Sequence, residues 1–182
     1  MLLTVDIGNT TVAVAGFSGE RPAFLRRLPA GREEGPRDWA AALRTLLAGE
    51  GPFRGAALSS VVPALTGPVA DALACVTGGR VLTVGRDTPT GLPLGDYDGA
   101  ALGMDRVVDC VAALARYAPP LAVFDMGTAT TLSVVDREGV FRGGMILAGL
   151  SLSLDALSAR AAQLPPVTLS PPEGLVGTDT ER

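Results

Sequence analysis

The chain opens on apolar, β-forming residues interrupted by a polar turn. Residues 2–6 are a short β-forming run, Gly8-Asn9 has turn chemistry, and residues 11–17 read as a returning strand. A β-hairpin with a carboxylate, Asp6, at its bend is therefore predicted. Residues 23–28 make a third strand candidate. After Gly35-Pro36 the period lengthens to that of a helix, with Trp39, Ala42, Leu43, Leu46 and Leu47 on one face.

Residues 55–62 read as a buried strand stopped by Pro63, residues 64–75 as a helix and residues 80–84 as a strand, which together imply an α/β layer. Residues 85–99 are dense in Gly, Pro and Asp and predict a surface loop. An apolar helix is expected over residues 101–117, closed by Pro119-Pro120. The boundary between a first lobe, 1–118, and a second, 119–182, is placed there. The second lobe opens on a strand at 121–125 ending in Asp125 and a returning strand at 130–135. Gly143-Gly144 reads as a tight bend from strand to helix, and a helix follows over residues 150–162.

The second lobe repeats the opening of the first. Asp6-Ile7-Gly8-Asn9-Thr10-Thr11-Val12 and Asp125-Met126-Gly127-Thr128-Ala129-Thr130-Thr131 align without a gap at the Asp, at the Gly, and at Thr11 against Thr130. The pattern suits a phosphate: glycine lets backbone approach it, N–H groups and Thr hydroxyls donate to its oxygens, and the Asp attracts a cation. A single Asp-x-Gly-x-Thr is ordinary turn chemistry. Two copies at equivalent places point to a two-lobed, actin-like (ribonuclease H-like) α/β fold whose paired hairpins face one cleft.

Composition narrows the chemistry. The chain has no histidine, and every basic residue is arginine. Acid–base work falls to Asp or Glu, and cationic help to Arg or a bound metal, most directly Mg²⁺. A net charge of −4 with scattered arginines gives no field for nucleic acid. No apolar run reaches the twenty or so residues of a membrane span, and no signal sequence opens the chain, so a cytoplasmic protein without a membrane partner is expected. Cys75 and Cys110 sit in apolar helical stretches and are expected to be buried free thiols.

Asp6-Ile7-Gly8-Asn9-Thr10, Ser59-Ser60-Val61-Val62-Pro63, Gly103-Met104-Asp105-Arg106, Asp125-Met126-Gly127-Thr128-Ala129-Thr130 and Gly143-Gly144-Met145-Ile146 occur in that order. Together they resemble the motif set of type III pantothenate kinases, which phosphorylate pantothenate with ATP at the entry to coenzyme A synthesis. The resemblance implies an ATP phosphate loop of Asp6, Ile7, Gly8, Asn9, Thr10, Thr11, Val12 and Ala13, with Thr128 contacting the phosphates from the second lobe. It implies that Asp125 holds a monovalent cation, K⁺ or NH₄⁺, and that Asp105 is the general base. Tyr97, Gly103, Met104, Asp105, Arg106 and Thr180 would bind pantothenate. Mg²⁺ as cofactor and a homodimer are implied as well. The residue chemistry agrees: Asp105 is placed near the start of a helix, where an anion is favoured, and Arg106 offers a planar fork suited to a carboxylate.

Two positions depart from the family pattern: Ala148 stands where proline is usual, and Asp179 where asparagine is common. The family also continues beyond Thr180, so an incomplete second lobe with uncovered apolar faces is expected. Another small-molecule kinase of the same superfamily, or an inactive regulatory relative, are the alternatives left open by the sequence.

Overall fold

The computed structural model describes residues 1–31, 38–161, 167 and 169. The first sheet and the helices packed on it comprise β1 (Leu2–Ile7), β2 (Thr11–Ser18), β3 (Arg21–Pro29), α1 (Trp39–Leu46), β4 (Gly55–Ser60), α2 (Pro63–Thr77) and β5 (Arg80–Thr83). Its sheet has the order β3-β2-β1-β4-β5. β1, β2 and β3 pair antiparallel through tight turns, whereas β4 and β5 join parallel after crossover helices. One sheet face buries Leu3, Val5, Ile7, Val12, Val14 and Leu58 with Trp39, Leu43, Val69 and Leu73 of the helices. Burying each such side chain contributes about 1.5–3 kcal/mol, and a one-residue slip would turn a strand's whole apolar set to the other side, so the register is strongly specified.

Helix ends follow local chemistry. The Asp38 carboxylate accepts from Ala41 N at the start of α1, Pro63 opens α2 where its missing N–H costs nothing, and Gly78 closes α2 in the left-handed conformation.

The rest of the described chain holds α3 (Met104–Leu114), β6 (Leu121–Met126), β7 (Ala129–Val135), β8 (Phe141–Ala148) and α4 (Leu150–Arg160), with β6-β7-β8 as an antiparallel sheet. A second core joins Leu92, Leu102, Val107, Cys110, Val135 and Phe141. Residues 84–103 carry no helix or strand, so the loop expected over 85–99 extends into the flanking segments, yet Leu92 and Leu102 anchor this stretch in that core. The proposed division at residue 118 falls between α3 and β6. α3 itself touches β4, β6 and β7 and so bridges the two sheets. The architecture is that of an actin-like α/β protein.

Several details differ from the sequence reading. α3 starts at Met104 because Gly103 is extended, and it stops at Leu114. Cys110 is buried as expected, but Cys75 is exposed, its sulfur 3.0 Å from Arg44 Nη2. Gly143-Gly144 lies inside β8 and makes no bend into a helix. A Cβ on Gly144 would strike the Leu132 carbonyl and lie 2.6 Å from Arg106 Nη2. Glycine is required there first by the close approach of the Leu132 backbone carbonyl, with the Arg106 guanidinium beside it.

Candidate active site

Directly paired residues on neighbouring strands share a sheet face, and this rule assembles the site. In the first sheet Asp6 pairs with Ser59 on β4 and Ala13 on β2, and Ala13 pairs with Arg27 on β3. The row Ser59–Asp6–Ala13–Arg27 therefore points away from the apolar core. In the second sheet the corresponding row is Asp125–Thr131–Ile146. Asp6, Ala13, Arg27, Asp125 and Thr131 all line one cleft of about 290 Å³, together with both hairpin bends and Asp105. The bends meet across it, with Thr10 Oγ1 and Thr128 Oγ1 2.7 Å apart.

The two hairpins are related but unequal. Gly8 N donates to Thr11 O at 2.9 Å and Gly127 N to Ala129 O at 3.0 Å. Ile7 pairs with Val12 across the first bend, and Met126 with Thr130 across the second, so the first loop is one residue longer. The repeat holds at the Asp and the Gly and then slips: Thr130 corresponds to Val12 instead of Thr11. Gly149 N donates to Thr128 O at 3.0 Å, and a Cβ on Gly149 would lie 2.6 Å from that same oxygen. A glycine at the start of α4 thus lets the helix close on the second bend.

Negative charge dominates the cleft. Burial raises the pKa of Asp6, the neighbouring Ser59 hydroxyl lowers it, and Asp105 and Asp125 raise it. The Ser59 hydroxyl lies beside Asp6 but makes no well-aligned hydrogen bond. Asp125 is raised by burial and then by Asp105. Asp109, one helical turn beyond Asp105, is pushed up to about 6, first by burial and then by Asp125, Asp6 and Asp105. Asp109 was not singled out from the sequence; its i, i+4 spacing from Asp105 was the available signal.

Asp6, Gly8, Asn9, Thr10, Thr11, Ala13, Asp105, Asp125 and Thr128 border the cleft. Ile7 and Val12 are fully buried in the first core, so only their backbone can serve a phosphate loop. Met104 borders a separate cavity of about 220 Å³ with Leu92, Leu102 and Val107. Tyr97, in the expected loop, is half-buried and packs edge-on against Phe141, ring centres 5.0 Å apart. Gly103 caps α3, and the space a side chain would take there is filled by the Asp105 carboxylate, which accepts from Arg106 N at 2.8 Å. Thr180 lies outside the described residues.

Arg106 differs from its sequence reading. It is buried: Nε donates to Ser133 Oγ at 3.0 Å, Nη2 donates to Leu132 O at 2.9 Å, and the guanidinium lies 5.4 Å from the Phe141 ring centre. Those two donors brace α3 against β7, so the open fork expected for a substrate carboxylate is instead engaged with Ser133 and Leu132.

Among the described residues no three Asp, Glu, Cys or His side chains are placed to hold a metal ion by themselves. The cleft carboxylates nevertheless fit a cation that arrives with phosphates and keeps part of its water, because their mutual repulsion falls when positive charge sits between them.

The model of the family described as type III pantothenate kinase matches residues 2–182. The type III pantothenate kinase of Moorella thermoacetica is 35% identical over 99% of this chain and 72% of its own length. That of Rhodospirillum centenum is 40% identical over 99% of this chain and 71% of its own. Among solved structures, the ethanolamine utilization protein EutJ from Carboxydothermus hydrogenoformans overlaps 90% of this chain and 57% of its own, with 18% identity and a TM-score of 0.49. At that overlap the fold rests on the strand order described above. Matched from its second residue to its last, the chain belongs to the type III pantothenate kinase family.

Proposed function

We propose that the cleft transfers the γ-phosphoryl group of ATP to the primary hydroxyl of pantothenate, the first step of coenzyme A biosynthesis. One observation carries this reading: Asp6, Asp105 and Asp125, from β1, α3 and β6, open on a single cavity with both threonine-bearing bends. ATP phosphates would lie along residues 6–13 and Thr128. The acceptor would enter beside Asp105 and Gly103, with Tyr97 and Thr180 on its side, while Met104 faces the neighbouring cavity and Arg106 would act by holding α3 in place. Asp105 takes the hydroxyl proton as the oxygen forms its bond to the γ-phosphorus, and the bond to the β-phosphate oxygen breaks to release ADP.

Mg²⁺ accompanying the nucleotide would be held in part by Asp6, and a monovalent cation by Asp125; both screen phosphate charge. In-line positioning contributes on the order of 7–11 kcal/mol and the base about 10²- to 10⁴-fold in rate, so geometry dominates. No helix among the described residues is long and apolar enough to cross a membrane, and we place the reaction in the cytoplasm.

We also propose a homodimer. Strand register puts Phe124, Met126, Met145 and Leu147 on one face of the second sheet, each more than half exposed, and a second copy would cover it.

The decisive assay measures ADP release with ATP, Mg²⁺ and K⁺ against a panel of alcohol acceptors. Pantothenate should be the preferred one. Asp105→Asn should lower kcat about 10²- to 10⁴-fold while ATP affinity changes little. Turnover with another acceptor and none with pantothenate would sink the assignment.

A further inference from the structure

We propose that Arg27 supplies the protein's positive charge to the β- and γ-phosphates of the nucleotide. The inference rests on the nucleotide reading of the cleft and assigns within it a group that the family motifs quoted above leave out.

Among the described residues lining the cleft, Arg27 is the one cation, set against Asp6, Asp105 and Asp125. A polyphosphate entering that acidic space needs positive charge beyond its own counterion, and the chain has no lysine to provide it. Arg27 shares a row with Asp6 across Ala13, which places the two backbones about 10 Å apart at two strand spacings. Ala13 between them is small, so the sheet surface from the cation to the carboxylate is open to an elongated anion.

Two internal comparisons single out Arg27. Arg26, its neighbour on β3, points to the other face, where it donates to the Leu46 carbonyl, pairs with Glu50 Oε1 at 2.7 Å and lies over the Phe24 ring. Strand alternation gives the first arginine a structural task and turns the second toward the cleft. In the second lobe the residue in the matching row is Ile146. The hairpin device is thus duplicated while the cation is confined to the first lobe, beside the longer phosphate-type bend. A charged residue on an edge strand can also serve only to block edge pairing; in that role it would be indifferent to the number of phosphates on a ligand.

Phosphate number is therefore the readout. Isothermal titration of the full chain with AMP, ADP, ATP and inorganic tripolyphosphate, each with Mg²⁺, is compared for wild type, Arg27→Ala and Arg27→Lys. Arg27→Ala should weaken ATP and tripolyphosphate about 10- to 100-fold, ADP less, and AMP by under about threefold, with Arg27→Lys recovering part of the loss. The thermal midpoint without ligand should not move, since the side chain is exposed. Losses equal for AMP and ATP, or no loss at all, overturn the role of Arg27 and leave the cleft reading standing. A wild-type chain that binds neither ATP nor tripolyphosphate overturns the cleft reading, and this proposal with it.

Discussion

Asp105 and Asp109 stand one turn apart on α3, and environment gives them different work. Asp105, the proposed base, opens on the cleft and accepts from Arg106 N at the helix start. Asp109 lies among the charges of Asp125, Asp6 and Asp105, and burial and repulsion together hold its folded-state pKa at about 6, above the ordinary 3.8. Above pH 6 both folded and unfolded chains carry this carboxylate ionised, and the folded chain bears the repulsion. As pH falls from about 6 to 3.8 the folded chain binds the proton first, so the penalty is relieved across that window. Asp109→Asn should therefore raise the thermal midpoint at pH 8, by about 1 kcal/mol of stability once solvent screening of this part-exposed group is allowed for. The gain should shrink to nothing near pH 4. Equal effects at pH 8 and pH 4 in differential scanning fluorimetry would show that charge is not the cause.

At the scale of elements, the join between α3 and the second sheet depends on two residues that read differently in sequence. Arg106 crosses to β7, and Gly144 on β8 leaves it room. Gly144→Ala puts a methyl group against the Leu132 carbonyl and the guanidinium. A cost of about 1–3 kcal/mol is expected, as for overpacking elsewhere. Because α3 carries Asp105, the same substitution should disturb catalysis in step with folding. Denaturant titration beside kcat is the check, and an unchanged midpoint would mean the brace is not needed. Gly149 plays the matching part at the start of α4, admitting the Thr128 carbonyl to the helix end.

For the molecule as a whole, the two faces of the second sheet have unequal fates. Val123, Thr131, Ser133 and Val135 face α3 and the cleft, and Thr131, Ser133 and Val135 are buried. On the reverse face Phe124, Met126, Met145 and Leu147 stand exposed among the described residues. With an apolar contribution of about 25 cal/mol per Å², covering such a face favours association. Sedimentation velocity should show a dimer at micromolar concentration, and Phe124→Glu with Met145→Glu should shift it to monomer. A wild-type chain that sediments as a monomer rules out the homodimer.

Local chemistry in the sequence marked β1 to β7, the four helices and much of the site: apolar β-forming runs made those strands, a helix-period face made α1, and the repeated Asp-x-Gly bends marked the two edges of one cleft, whereas β8 was hidden by the turn chemistry of Gly143-Gly144. The information for these lies within a few residues of each position. Tertiary structure decided what depends on distant pairing. It set the one-residue slip between the hairpins, turned Arg27 to the cleft and Arg26 to the helices, buried Arg106 behind Gly144, and brought Asp109 within range of Asp6 and Asp125. Alternation along a strand says that neighbours point to opposite sides, but only the packed sheet says which side meets the core and which meets the substrate.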